Sequence, residues 1–360
     1  LSPLPWWSTV TVEAFRVEAR RRPHGVARMQ GLTLIGSGWH PHLFRAEIKA
    51  LTGPLEVIHP RVVYIPHTDS AIRRLSRAAL LDEVLSSAGR VWLHTSITDG
   101  ELAQHIAEWA GSNLPKGSFA VRARNLGTGI DGLSRSTIEE EVGALVMSEA
   151  NPVDLESPEH EIVVVLAGPE DGPIHRDSTS FIGPKVVWGL RESGWQRESF
   201  AGRAPTDRPF FQPVSLDPRQ ARLLISLAHR AGVESTTVVD PFCGTGGIVI
   251  EAALQGLEAL ASDLDGRMVE GIRQNLDWAG VSASVEMSAV ADVASVWGER
   301  SGCIFAFDPP YGRSSWKSDD GLELLLEAMS AAHQIDSQGA VCMMLPAGPE
   351  TLSQESEQDY

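Results

Sequence analysis

The sequence predicts an α/β protein: a doubly wound parallel sheet in the C-terminal part, preceded by an α+β region. Three observations predict it. Five short apolar runs, "TTVVD", "LEALASDLD", "ASVEMSAVAD", "CIFAFDPPYG" and "AVCMMLP", recur after residue 235, and helical stretches separate most of them. Repeated βα units bury both faces of a parallel sheet. The first run opens into the Gly-rich "FCGTGG" and then an apolar helix, the turn such sheets place against a ligand. Upstream, strands and amphipathic helices alternate in a looser order that fits a small ferredoxin-like module.

Composition narrows the function. The chain has 360 residues, 42% of them hydrophobic, which allows two or three domains with real cores. Cys243, Cys303 and Cys342 are far apart and form no CxxC pair. A disulfide framework or a zinc site is therefore not expected, and no metal is. A reducing, cytoplasmic setting fits best. No apolar run approaches the roughly 20 residues of a membrane span. The formal net charge of −17 counts against nucleic acid as a partner unless positive charge is gathered locally.

Residues 1–28 read as an extension. "WWSTVTVEAFRVEARRRPHG" is Arg-rich and lacks the apolar core of a signal peptide, and a strand pattern, "LTLIGSG", begins just after Met29. Residues 29–95 form the first module: "LTLIGSG" is a strand, "HLFRAEIKALTG" a helix closed by Gly53, and "RVVYIP" a strand. "DSAIRRLSRAALLDEVLSSAG" is expected as one amphipathic helix, followed by the strand "RVWLHT". Residues 96–190 form the second. "ELAQHIAEWAGSN" is helical, "SFAVRARNLG" is a half-exposed strand, and "SRSTIEEEVGALVMSE" is a helix with an expected capping box of Ser136 and Glu139. "VDLESPEHEIVVVLAG" reads as strand, turn and strand. "RESGWQRESFAGRAPTDRPFFQP" mixes Gly, Pro, Arg and aromatics without a period, which places a linker at 191–208. The last domain, 209–360, starts with the helix "SLDPRQARLLISLAHRAG".

The chemistry lies in that last domain. Gly244, Gly246 and Gly247 allow close approach of a ligand to a helix N-terminus. The loop fits neither a dinucleotide fingerprint nor a P-loop, and no Lys follows it. Asp240, directly before the loop with Pro241, is unsuited to a diphosphate and suited to an ammonium group. Thr245 adds a hydroxyl. The second strand ends at Asp263 and Asp265, where doubly wound sites grip a ribose diol. The third is expected to end at Asp292, an acceptor for an adenine amino group, and the fourth ends at Asp308. Any one of these acids alone is an ordinary loop residue; four at consecutive strand ends of one sheet form a site. A ligand with an ammonium, a ribose and an adenine but no phosphate is S-adenosyl-L-methionine.

This set resembles the class I (Rossmann-like) methyltransferase pattern. The resemblance implies that Asp308, Pro309, Pro310 and Tyr311 form the catalytic motif of enzymes that methylate exocyclic or amide nitrogens. Hydrogen bonds from the nitrogen to the Asp308 carboxylate and the Pro309 carbonyl localise its lone pair, and Tyr311 stacks on the base. Cofactor residues are then Asp240, Pro241, Gly244, Thr245, Gly246, Asp263, Asp265, Asp292 and Asp308.

With "RPFFQPVSLDPRQAR" and "SDLDGRMVEGIRQNLDWAG", the pattern closely resembles the THUMP-containing tRNA guanine-N2-methyltransferases of archaea and eukaryotes. "FAVRARNLG", the helix after it and "VDLESPEHEIVVVL" resemble a THUMP domain, and "HLFRAEIKAL" resembles the helix of the family's ferredoxin-like domain. The resemblance covers roughly residues 30 to 350. It implies methylation of a guanine, at position 10 of tRNA, with the THUMP domain gripping the tRNA. Lys116, Arg122, Arg124 and Arg135 give residues 115–135 a local charge of +3. With Lys185 they are the expected RNA contacts, joined by Arg176, Arg191, Arg197, Arg203 and Arg208; the plainer reading is a solvated strand edge. A monomer is expected, with a small activating subunit as the alternative. After "AVCMMLPAGPE" the two closing strands usual in the family are missing from the sequence, so a truncated sheet is expected. Competing readings are a ribosomal RNA guanine-N2 or DNA adenine-N6 methyltransferase, and a non-catalytic RNA-binding protein with a vestigial fold.

Overall fold

Two sheets carry the structure, and they differ in strand direction. The computed structural model describes residues 27–28, 31–92, 97–169, 183–213, 215–310 and 319–345. Most of the expected extension lies outside these residues. Its last two, Ala27–Arg28 (β1), pair with a later strand.

The first sheet begins with β2 (Leu32–Gly36), α1 (Pro41–Thr52), β3 (Glu56–His59), β4 (Val62–Ile65), α2 (Asp69–Leu75) and β5 (Leu81–Trp92). Their spatial order, β3-β4-β2-β5, is antiparallel throughout. This is the ferredoxin-like arrangement. Strands β6 (Phe119–Leu126), β7 (His160–Ala167) and β8 (Lys185–Arg191) extend the same sheet through the β5–β8 pair, and only β6 and β7 run parallel. Helices α3 (Asp99–Asn113) and α4 (Arg135–Val146) cover the second half, as α1 and α2 cover the first. On the other face, Ile35, Ile58 and Val62 of the first half pack with Leu126, Val163, Val165 and Ala167 of the second. His59 Nε2 meets the Gly168 carbonyl at 2.8 Å across this closure. The ring is buried and, mainly for that reason, its pKa falls to about 4.

Four local expectations are corrected. The long helix expected from Asp69 stops at Leu75. Glu47 of α1, fully buried, accepts from the amides of Ala79 (2.6 Å) and Leu80 (2.9 Å) and pins the turn there. Leu81, Val84 and Leu85 then enter a central strand with neighbours on both sides, so tertiary pairing overrides helical propensity. Strands β3 and β8 were not expected, although β8 is the one that joins the two halves. Helix α4 is capped by Ser134, whose hydroxyl accepts from Thr137. Glu139 turns away from the expected box to accept from the Ala123 amide at 2.7 Å. Of the strand pair expected in "VDLESPEHEIVVVLAG", only β7 forms, with a single bridge at Val153.

The second sheet contains β9 (Thr237–Asp240), β10 (Glu258–Asp263), β11 (Ser284–Met287), β12 (Cys303–Phe307) and β13 (Ala340–Met343). All pairs are parallel, in the order β11-β10-β9-β12-β13. Helices α5 (Pro218–Ala228), α6 (Gly247–Leu254) and α7 (Gly266–Ala279) pack on one face; α8 (Val293–Trp297) and α9 (Asp319–Ile335) pack on the other. The doubly wound sheet is as expected. Its strand order reverses between β9 and β12, the switch point where such sheets bind ligands.

The two sheets meet through α5 and the linker. Leu223 of α5 is buried in the core of the first sheet, and the Ser226 hydroxyl donates to the Arg77 carbonyl at 2.9 Å. Trp195 Nε1 donates to the Leu75 carbonyl. Glu251 of α6, 1% exposed, binds Arg203 of the linker and Arg222 of α5. No helix among the described residues is long and apolar enough to cross a membrane.

Candidate functional site

Parallel strands all present their carboxyl ends to one edge, and the acids collect there. Asp240 ends β9 only 2% exposed, its Oδ1 accepting from the Phe242 amide at 3.0 Å. Asp263 ends β10 and holds two turns: Oδ2 accepts from Gly244 of the Gly-rich loop and Oδ1 from the Asp265 amide, both at 2.9 Å. The loop is fixed from behind as well. Asn275 of α7, fully buried, donates to the carbonyls of Thr245 and Phe210 and accepts from the Phe210 amide. Gly246 has φ +84°, and a Cβ there would meet Ile272 at 2.4 Å, so only glycine fits this turn. The Thr245 hydroxyl donates to Ser215 at 2.9 Å, bringing the residues before α5 over the loop.

Asp308, Pro309 and Pro310 leave β12 across the same edge. Together they enclose a cleft of about 720 Å³. Asp240, Pro241, Gly244, Thr245, Asp263, Asp265, Asp308, Pro309 and Pro310 line it. Gly246 stands behind the wall as the cap of α6. Asp265 also caps α7, accepting from the Arg267 amide and side chain. Asp292 is placed elsewhere. The third strand ends at Met287, not at Asp292, which is exposed in a 3-10 turn and outside the cleft lining. At that end the wall is Ser288, Ala289 and Val290, with Leu324 and Glu327 of α9. Tyr311 and Arg176 lie outside the described residues.

The electrostatics follow from burial. Asp240 loses its hydration and faces the charges of Asp263 and Asp308, so its pKa rises to about 8 despite the Phe242 hydrogen bond. Burial, with the same Asp240 and Asp263, pushes the Cys243 thiol well up, which removes it as a thiolate nucleophile. Among the described residues no group of three His, Cys, Asp or Glu is placed to hold a metal. A neutral Asp240 in an acid-lined cleft suits a cationic ligand, whose arrival would restore the carboxylate.

The residues expected to contact RNA sit in different surroundings. Arg122 binds Glu161 (3.3 Å) and the Leu155 carbonyl (2.7 Å). Arg124 and Arg191 both bind Glu83, and Arg191 also binds Glu161. Lys185 is 3% exposed, with its Nζ on the Gly183 carbonyl. Lys116 and Arg135 are exposed. In the linker, Arg197 binds Asp82, Arg203 binds Glu198 and Glu251, and Arg208 is buried. Sequence reasoning missed Gln212, Ser215 and Leu216 on the cleft and Asn275 behind it. A helical Asn opposite a Gly-rich loop carries no local signal of its role.

The family described as "RMKL-like, methyltransferase domain" matches residues 205–358. The tRNA (guanine(10)-N2)-dimethyltransferase of Methanothermobacter thermautotrophicus is 33% identical over 279 residues, 76% of this chain and 73% of that protein. Its counterpart in Pyrococcus abyssi is 31% identical over 248 residues, 68% of this chain and 67% of that one. The crystal structure of TrmN from Thermus thermophilus overlaps 87% of this chain and 88% of its own, at 21% identity and a TM-score of 0.44.

Proposed function

Since this chain belongs to the tRNA (guanine(10)-N2)-dimethyltransferase family, we propose that it methylates the exocyclic N2 of guanine 10 in tRNA with S-adenosyl-L-methionine. The observation that carries the proposal is the convergence of Asp240, the Gly-rich loop, Asp263 and the Asp308-Pro309-Pro310 turn on one cleft at the switch point. The acids fit the donor: it is cationic, carries a diol and an amine, and has no phosphate.

When bound, the donor supplies a methyl group activated by a sulfonium. The protein's residues do the rest. Asp240 takes the ammonium, and Asp263 and Asp265 take the ribose hydroxyls. The wall at Ser288–Val290 and Leu324 covers the base. Asp308 and the Pro309 carbonyl accept hydrogen bonds from the guanine amino group, which turns the nitrogen lone pair out of the ring. The motif resemblance assigns Tyr311, outside the described residues, to the guanine ring. The two prolines keep this turn rigid, so that its acceptors are oriented before the reaction. The amino proton is lost once the nitrogen is alkylated, so no strong base is needed.

Residues 29–95 are read as the ferredoxin-like domain, 96–190 as a THUMP domain that holds the tRNA, and 191–208 as the linker. The protein is read as a cytoplasmic monomer. Guanine N2 lies within the base-paired stack, so the nucleotide must turn out to reach the cleft, and a separate RNA-gripping domain sets the register.

The test is transfer of labelled methyl groups to unmodified tRNA transcripts carrying G or A at position 10. Label in the G transcript alone, and none with Asp308→Ala, is the expected result. Equal label in both transcripts overturns the assignment of the base. No label with either overturns the activity.

A further inference from the structure

Glu327 of α9 brings a carboxyl group to the end of the cleft that the donor's adenine would occupy. The wall there is Ser288, Ala289 and Val290, which follow β11, with Leu324 and Glu327 of α9. The two elements are packed together: Val290 shares a core with Leu324, Ala328 and Ala331. Asp263 and Asp265, read as the ribose ligands, stand at the end of β10, one strand away.

The 6-amino group of adenine is a hydrogen-bond donor, and the strand side of this wall has little left to receive it. Ala289 and Val290 carry no polar side-chain atom. The Ala289 carbonyl already accepts from the Ser288 hydroxyl at 2.9 Å and from the Asp292 amide at 3.0 Å. The Val290 carbonyl accepts from the Val293 amide. Ser288 is buried, with its hydroxyl proton committed to the Ala289 carbonyl. Asp292, the acid expected to serve here, is exposed outside the lining. An acceptor must therefore come from the helix side.

Glu327 sits against the grain of its helix. Positions 324, 327, 328 and 331 share one stripe of α9 at helical spacing, and Leu324, Ala328 and Ala331 pack that stripe on the core. A charged residue there adds nothing to the core. The Glu327 side chain makes no hydrogen bond or ion pair among the described residues, so nothing in the described fold uses its carboxylate. A carboxylate offers two acceptor oxygens and no donor, which suits an amine and not a carbonyl at that place.

We propose that Glu327 accepts a hydrogen bond from the 6-amino group of the methyl donor's adenine, and so selects adenine at that end of the cleft. The inference rests on the methyl-transfer reading of the cleft. The acceptor comes from the helix that follows the Asp308-Pro309-Pro310 turn, and not from the end of the third strand.

The test compares two ligands that differ only in that amine: S-adenosylhomocysteine and its purine counterpart, with hydrogen at position 6. Calorimetry gives both dissociation constants for the wild type, Glu327→Gln and Glu327→Ala. Glu327 is exposed, so both variants should fold as the wild type does. The wild type is expected to bind the adenine form about tenfold more tightly, the effect of one hydrogen bond to a charged acceptor. Glu327→Ala should lose about tenfold for the adenine form and less than about twofold for the purine form, so that the two bind alike. Glu327→Gln, which keeps an acceptor oxygen, should retain part of the preference. Equal losses for both ligands, or none, overturn the assignment and leave the methyl-transfer reading standing. A fall in methyl transfer to tRNA with donor affinity unchanged also overturns it, by placing Glu327 on the guanine. Failure of the wild type to bind either ligand overturns both.

Discussion

The two sheets treat strand-end residues in opposite ways. In the parallel sheet every βα repeat brings the chain back to the same edge, so the acids that end β9, β10 and β12 meet around one cleft. In the first sheet all pairs but one are antiparallel, and neighbouring strand ends lie at opposite edges. Charges there are taken up in ion pairs within the sheet: Arg124 and Arg191 both meet Glu83, and Arg122 and Arg191 both meet Glu161. Topology therefore decides whether a run of like residues reads as a site. The acids of the parallel sheet line one cleft, whereas the arginines of the first sheet form ion pairs.

The joint between the sheets is where this contrast is most easily broken. Glu251 is 1% exposed and balances two guanidinium groups, one from the linker and one from α5. Removing one partner of a buried pair typically costs about 3–5 kcal/mol, because the charges left behind stay buried. The largest expected effect on stability is therefore the fall in urea midpoint of Glu251→Ala. A shift below about 1 kcal/mol would mean that the linker is held by Phe200 packing alone, with Arg203, Arg219 and Arg222 stacked around its ring.

Next in size is the loss expected at the cleft. Asp308→Ala is expected to lower methyl transfer by about 10²–10³, the usual cost of removing one oriented polar group at the reacting centre. Donor binding, measured by calorimetry, should change little. If donor affinity falls in step with turnover, Asp308 serves the cofactor rather than the base. The analogous truncation of Arg122, in the first sheet, should leave turnover on saturating tRNA unchanged.

These two regions also differ in how much the sequence disclosed. The parallel sheet was legible because its signals are local and repeated: an apolar run, an acid, a turn and a helix. Asp292 was misplaced, since the third strand stops at Met287 and a 3-10 turn intervenes. The first sheet was harder because its decisive contacts are remote in sequence. Glu47 of α1 accepts from the amide of Ala79, 32 residues away, in the turn between α2 and β5. Strand β8 looks like any short apolar run until β5 and β7 flank it. The buried amide of Asn275 needs a distant backbone, at Phe210 and Thr245, to acquire meaning.

A pH titration sharpens the acid side of the comparison. Asp240 has a folded pKa of about 8 against 3.8 ordinarily, chiefly through burial. The unfolded chain loses this proton near pH 4 while the folded protein keeps it until about pH 8. Stability from this group is therefore complete below pH 4 and declines as pH rises to about 8, by at most about 1.4 kcal/mol per pH unit. Asp240→Asn should flatten the donor-free melting curve between about pH 5 and 8, a window set by those two values. Donor binding, which supplies an ammonium, should release a proton near pH 7; calorimetry in buffers of different ionisation enthalpy reads it directly. No proton release would place the ammonium away from Asp240.

The smallest effects are expected on the basic side, and they test whether the pairs in the first sheet leave anything for RNA. Lys116 and Arg135 are exposed, whereas Arg122 and Arg124 are held by carboxylates. A phosphate contact contributes through counterion release, so losing one lowers the salt slope of binding by about 1 and weakens all sequences alike. Lys116→Ala and Arg135→Ala should each weaken tRNA binding a few-fold with that change of slope, and leave the melting temperature alone. Arg122→Ala and Arg124→Ala should do the reverse: Glu161 and Glu83 lose a partner, the melting temperature falls, and the salt slope stays. If Arg122→Ala lowers the slope as Lys116→Ala does, its pair with Glu161 opens on RNA binding, and the antiparallel sheet presents a basic surface only when its ligand is present.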